Sequence, residues 1–223
     1  MKAIVFDLDG TLIDSVGDIR AALNQMLAQN GCTPLTLHTV TSFIGKGSSN
    51  LVKRVIDAVD LPDDDASHAR FLAEFLHIYT KESAGLTTVF EHVHEVLTGL
   101  QQSGMLLGLC TNKPAAPTQI VLDQFGLASF FSAVVSGDRL PTRKPDPAML
   151  HLVMQELAVD HCLFVGDSEV DVATAKAAGM PVALFTKGYR QTPVADLAPE
   201  FHFDDYRVLP AIAETCFSGF NNR

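Results

Sequence analysis

Asp7 and Asp9 stand two apart where a short apolar run, Ala3-Ile4-Val5-Phe6, gives way to Asp7-Leu8-Asp9-Gly10-Thr11. In an extended segment, side chains two apart project to the same side, and carboxylates held that close repel unless a cation lies between them. The pair suits a magnesium site, where a hard divalent ion takes oxygen ligands and keeps positions for a substrate phosphate. The same spacing also serves two turn-forming aspartates. A second apolar run ends in Gly166-Asp167-Ser168-Glu169-Val170-Asp171, which adds two carboxylates. Asp167, at the strand end, reads as a metal ligand. Asp171 reads either as a ligand or as a carboxylate complementing the dipole of the helix it opens. Thr111 and Asn112 offer a hydroxyl and an amide suited to phosphoryl oxygens. Lys144 lies in Arg143-Lys144-Pro145-Asp146-Pro147, where the prolines stiffen the loop. A lysine beside three carboxylates offsets their charge and can hold a transferring group.

These residues need a scaffold that brings them together, and the chain supplies one. Ala3–Phe6, Met105–Cys110, Phe131–Val135, Cys162–Val165 and Val182–Phe185 are apolar runs of the kind that form strands buried on both faces. Each ends in a polar or glycine-bearing segment. Helical patterns alternate with them: Val93, Val96, Leu97 and Leu100 share a face before Gly104, Pro147 opens a helix, and Gly179 closes an alanine-rich one. Alternation of this sort predicts an α/β fold with a parallel sheet, whose ligands bind beyond the carboxyl ends of the strands. Residues 15–85 break the pattern with three amphipathic helices, the first ended by Gly31 and the second expected to be capped by Ser48 or Ser49. The expected division is a core of residues 1–14 and 86–223 and an inserted helical unit, 15–85, able to act as a lid.

At 223 residues and 47% apolar, the chain can bury a sizeable core. Its formal charge of −10 argues against nucleic acid and anionic membrane surfaces as partners. No apolar run approaches the roughly 20 residues of a membrane helix. The four cysteines, Cys32, Cys110, Cys162 and Cys216, form no paired motif and read as reduced core residues of a cytoplasmic protein. The acidity poses a problem for a phosphate-ester substrate, which local positive charge must solve.

The ordered segments Asp7 to Ser15, Thr111-Asn112, Lys144-Pro145 and Gly166 to Asp171 together resemble the four motifs of the haloacid dehalogenase superfamily, in its phosphatase branch. The resemblance implies a Rossmann-like core with a helical cap inserted after the first motif. It implies Mg2+ as cofactor, Asp7 as nucleophile and metal ligand, and Asp9 as general acid and base that coordinates through its backbone carbonyl. Asp167 is then the remaining metal ligand with Asp171 in support, and Thr111 and Lys144 hold the phosphoryl group. Gly10, Thr11 and Asn112 are expected beside the substrate. Within the branch, Phe43-Ile44-Gly45-Lys46-Gly47 and Leu109 to Pro114 are similar to phosphoglycolate phosphatases. The cap loop, with Lys46 and Gly47 before a helix N-terminus, is accordingly expected to read a substrate carboxylate. Glu169-Val170 departs from the pattern by adding negative charge beside the expected metal. The expected partner is a small phosphate ester, and the chain is expected as a monomer or homodimer. The alternatives are a phosphatase of broad specificity and a non-catalytic phosphate-binding regulator on the same core.

Overall fold

In the computed structural model, which describes residues 2–82 and 84–219, the run Ala3–Phe6 forms strand β1, buried throughout. A short strand β2 (Ile13–Asp14) leads into helices α1 (Val16–Gln29), α2 (Leu37–Phe43), α3 (Ser48–Val59) and α4 (Asp65–Glu82). Strand β3 (Thr88–Val89) then pairs antiparallel with β2, Ile13 against Val89 and Asp14 against Thr88. The chain thus leaves for its helices and returns through a single two-stranded ribbon. Helices and strands alternate from there: α5 (Val93–Gln102), β4 (Leu106–Cys110), α6 (Ala115–Gln124), β5 (Ala133–Val135), α7 (Ala148–Glu156), β6 (Cys162–Gly166) and α8 (Glu169–Ala178). Strand β7 (Val182–Phe185), helix α9 (Val194–Leu197), strand β8 (Phe201–Phe203) and helix α10 (Leu209–Ser218) complete the order.

Among the described residues, six strands form one parallel sheet in the order β5-β4-β1-β6-β7-β8. Strand β1 lies between β4 and β6, with Phe6 level with both Leu109 and Val165. Asp7 follows Phe6 directly, and Thr111 and Asp167 lie two residues past Leu109 and Val165, so the three chemical segments emerge side by side. Strand alternation divides the core. Ile4, Phe6, Leu109, Leu163 and Val165 pack under α5 and α10, and Ala3, Val5, Cys110, Cys162 and Phe164 pack under α7 and α8. Helices α1 to α4 bury an apolar cluster of their own, centred on Leu23, Met26, Val52, Phe71 and Phe75, which Tyr189 joins from the sheet edge.

Two local expectations are corrected. Neither Ser48 nor Ser49 caps α3. The cap is Gly47, at φ 84 and ψ 169, a backbone conformation that favours glycine over serine. The edge strand β8 was absent from the expected set, because Phe201-His202-Phe203 is too short to register as an apolar run. All four cysteines are free thiols, and no described helix is long and apolar enough to cross a membrane.

Candidate active site

Asp7 is the first residue past β1, and its backbone N–H still bonds to Val165 O at 2.9 Å. Its carboxylate meets those of Asp167 and Asp171, with ligand atoms of the three all within 4.8 Å of one another. The ammonium of Lys144 enters the same buried space, 2.8 Å from Asp7 Oδ1 and 2.7 Å from Asp171 Oδ1. Three carboxylates against one ammonium leave a net negative charge in a dry site.

The surroundings show which oxygens remain available. Asp171 sits in the first turn of α8. Its Oδ2 accepts from the N–H groups of Asp167 and Ser168 and from Ser168 Oγ, closing a capping box, while Oδ1 takes Lys144. Its Oδ2 closes the helix cap with three donors and its Oδ1 faces the lysine, so it anchors both. Asp167 accepts from Thr11 Oγ1 at 2.9 Å and from the Tyr189 N–H at 2.6 Å. Asp7 Oδ1 is different: it is buried and has no hydrogen bond, the Lys144 contact being an ion pair outside hydrogen-bond geometry. The Lys144 ammonium is the cation that this buried oxygen meets among the described residues. The clustered oxygen donors fit a hard divalent ion held by Asp7 and Asp167.

Burial pushes the Asp7 carboxyl up to about 7, with the Lys144 charge opposing and Asp171 adding to the rise. Burial likewise raises Asp167 well above the carboxylate range, and the charges of Asp171 and Asp7 reinforce it. For Lys144 burial acts downward, but the Asp171 and Asp7 charges outweigh it and hold the lysine protonated.

Asp9 does not join this cluster. Phe6 is the last residue of β1, and the chain turns after it, so the two-residue alternation that would align Asp9 with Asp7 is lost. The Asp9 carboxylate instead accepts from Ser15 Oγ at 2.6 Å and from Lys113 Nζ at 2.9 Å. Asp7, Asp9 and Thr111 nevertheless line one cavity of about 50 Å³, together with Gly45, Gly47 and Asn112. Thr111 Oγ1 accepts from the Lys113 N–H at 3.2 Å, which leaves its own proton to donate into the cavity. Apolar walls come from α1, α3 and α4 through Ile19, Leu51 and Phe75.

Several expected substrate contacts are redirected. Thr11 is fully buried and spends its hydroxyl on Asp167. Gly10, at φ 84, gives its N–H to Ile13 O; a Cβ there would lie 2.5 Å from Asp167 Oδ2, so its role is close approach. The Asn112 amide bonds to Gly45 O at 2.9 Å and Lys144 O at 3.0 Å and accepts from the Lys144 N–H at 2.9 Å. With both N–H donors used, it ties loops together and has none left for phosphate. Lys46 is exposed and lines outer clefts, because the glycines on either side turn the cap loop so that backbone faces the cavity. Glu169 also faces an outer cleft, where it accepts from the Gln191 N–H at 3.3 Å, so its charge stays outside the carboxylate cluster.

Residues that the motifs did not single out complete the arrangement. Lys113 is buried, bonded to Asp9 and to the Tyr79 hydroxyl from α4. Burial would lower its pKa, but Asp9 and Tyr79 hold it raised and the side chain charged. Tyr79 is itself pushed up to about 12, chiefly by burial, and stays neutral. The available signal was position: Lys113 follows Thr111-Asn112 at the same strand end, where polar chemistry converges. Tyr189 follows β7 in the same way.

The sequence matches the profile of the "Haloacid dehalogenase-like hydrolase" family over residues 4–185. A phosphoglycolate phosphatase of Cereibacter sphaeroides (strain ATCC 17025) is 45% identical over 210 residues, 94% of this chain and 96% of its own length. One from Rhodospirillum rubrum is 43% identical over 93% of this chain and 89% of its own. A crystal structure from Haemophilus somnus 129pt, named there as a predicted phosphoglycolate phosphatase, superposes with a TM-score of 0.89 at 30% identity, covering 95% of this chain and 97% of that one. The chain belongs to the haloacid dehalogenase-like hydrolase family.

Proposed function

We propose that this protein is a magnesium-dependent phosphomonoesterase that hydrolyses 2-phosphoglycolate to glycolate and phosphate through a phosphorylated Asp7. The observation that carries this reading is the Asp7 carboxylate: buried at a strand end, ion-paired at Oδ1 with Lys144, gathered with Asp167, and lining a cavity between the sheet and the helices. The names of the relatives support the substrate.

In this mechanism Asp7 attacks phosphorus in line; its oxygen–phosphorus bond forms as the ester oxygen–phosphorus bond breaks. Thr111 donates its hydroxyl proton to a phosphoryl oxygen, and Lys144 neutralises charge at the nucleophile. Asp9, positioned by Ser15 and Lys113, gives its proton to the departing glycolate oxygen. Asp9 then takes a proton from the water that attacks the phosphoryl group, which frees Asp7 and releases phosphate. Asp7 and Asp167 would hold a magnesium ion, whose positive charge would let an anionic nucleophile meet an anionic ester. The role of the helices in 15–85 is that of a cap, swinging on the β2–β3 ribbon and closing the cavity. The four free thiols agree with a cytoplasmic setting.

The test is hydrolysis of p-nitrophenyl phosphate and of a panel containing 2-phosphoglycolate, with magnesium and with EDTA, by wild type and Asp7→Asn. The expected result is metal-dependent turnover, highest for 2-phosphoglycolate and abolished by the substitution. Turnover by Asp7→Asn at the wild-type rate ends the reading.

A further inference from the structure

The cavity beside Asp7 is lined by a buried ammonium with one donor unused. Of the described residues that line it, Lys113 is the one cation. Its side chain is 2% exposed, and it donates to Asp9 and to the Tyr79 hydroxyl while lying 4.6 Å from the Tyr79 ring centroid. An ammonium has three donors, and the third meets no acceptor among the described residues. A buried, charged N–H left open toward a cavity is a site for an acceptor brought by a ligand.

The position of that donor limits what the acceptor can be. Under the mechanism above, Asp9 must touch the oxygen that joins phosphorus to the alcohol. Lys113 Nζ is 2.9 Å from Asp9 Oδ1, so it reaches groups next to that oxygen. The phosphoryl group itself is claimed by Asp7, Thr111 and Lys144 at the other end. A carboxylate attached to the carbon that bears the ester oxygen falls beside Lys113. Gly47 and Ser48, at the N-terminal end of α3, line the same cavity and add a favourable dipole. Lys46, the expected reader, faces outward.

We infer that Lys113, and not Lys46, binds the carboxylate of the substrate. This inference rests on the phosphomonoesterase reading and deepens it. Tyr79 sets the far boundary: by engaging Lys113 from α4, it couples the specificity residue to the closed position of the cap helices. Monoesters of neutral alcohols then leave the third donor of a buried ammonium without an acceptor.

The experiment compares kcat/KM for 2-phosphoglycolate and for ethyl phosphate, which keeps the two-carbon skeleton and replaces carboxylate by methyl. Wild type, Lys113→Met and Lys46→Ala are measured with magnesium. The wild type is expected to prefer 2-phosphoglycolate by about 100-fold, the cost of leaving a donor of a buried charged group unsatisfied. In Lys113→Met the loss on 2-phosphoglycolate should exceed the loss on ethyl phosphate by about the same factor, and Lys46→Ala should keep the preference. Equal wild-type rates on the two esters, equal losses on both in Lys113→Met, or a preference lost in Lys46→Ala would each overturn the inference. The wild-type comparison does so without requiring any variant to fold. A wild type that hydrolyses neither ester defeats the phosphomonoesterase reading itself, whereas equal rates defeat the carboxylate assignment alone.

Discussion

Tyr189 donates its backbone N–H to Asp167 Oδ2 at 2.6 Å, which links a candidate metal ligand to the ribbon that carries the helices. The hydroxyl of the same residue accepts from the N–H groups of Ser15 at 2.7 Å and Val16 at 3.1 Å and donates to Asp14 at 2.8 Å. One side chain therefore spans from the carboxylate cluster to the point where β2 becomes α1. Tyr189→Phe keeps the ring and the Asp167 contact but strands the buried Ser15 amide and leaves the Val16 N–H only Asp14 Oδ1 at 3.4 Å. The expected cost is on the order of 2 kcal/mol in unfolding free energy. Denaturant melts of the two proteins check this, and a variant as stable as wild type would remove the link.

Asp7 provides a pH prediction for the metal-free protein. Its carboxyl is raised from 3.8 to about 7, so the folded state holds its proton more tightly than the unfolded state. That share of stability is complete below about pH 4 and is lost as pH rises through about 7, amounting to on the order of 4 kcal/mol at most. Asparagine cannot ionise. In EDTA, the melting temperature of Asp7→Asn should fall less than that of wild type between pH 5 and pH 8 and should exceed it at pH 8. Parallel thermal melts across that range would falsify the assignment.

Gly188 fixes Asp167 from the other side. A Cβ at this position would lie 2.3 Å from both Asp167 Cβ and Oδ2 and 2.4 Å from Gly10 O, and no neighbour there is a flexible tip. Gly188→Ala must displace the Asp167 loop. The magnesium concentration for half-maximal activity should rise about tenfold or more, with folding retained by circular dichroism. An unchanged magnesium titration means that Asp167 is not held as described.

Much of this arrangement is legible in the sequence where local pattern and function coincide. Asp7, Thr111 and Asp167 each end a buried apolar run, and parallel pairing alone brings such ends together. Lys144 is legible through its proline-bounded loop. What stays hidden depends on side-chain direction beyond the strands. Asp9 turns to Lys113 because the backbone leaves its extended path after Phe6, and no two-residue rule foresees that. Tyr79 sits among the apolar positions of α4, and only its hydroxyl contact separates it from core. Asp18 reads as an ordinary first-turn acid, yet it is buried and accepts from the Leu86 and Thr87 N–H groups and the Thr87 hydroxyl, 68 or more residues away in sequence. Contacts of that separation leave no periodicity to read.

Asn112 offers a sharp test of tie against ligand. Its two amide donors face the carbonyls of Gly45 and Lys144, and its oxygen faces the Lys144 N–H. Alanine removes three hydrogen bonds, about 3 kcal/mol at roughly 1 kcal/mol each. Aspartate keeps the shape and the acceptor but sets a carboxylate against two carbonyl oxygens in a buried site, adding repulsion and desolvation. Asn112→Asp should therefore be less stable than Asn112→Ala in urea titrations, despite being the closer match in size. A residue whose amide only contacted a phosphoryl group would show the opposite order without ligand, since aspartate there would keep the loop bond to Lys144 at little cost. The order of the two midpoints, measured on metal-free and phosphate-free protein, decides between the two roles.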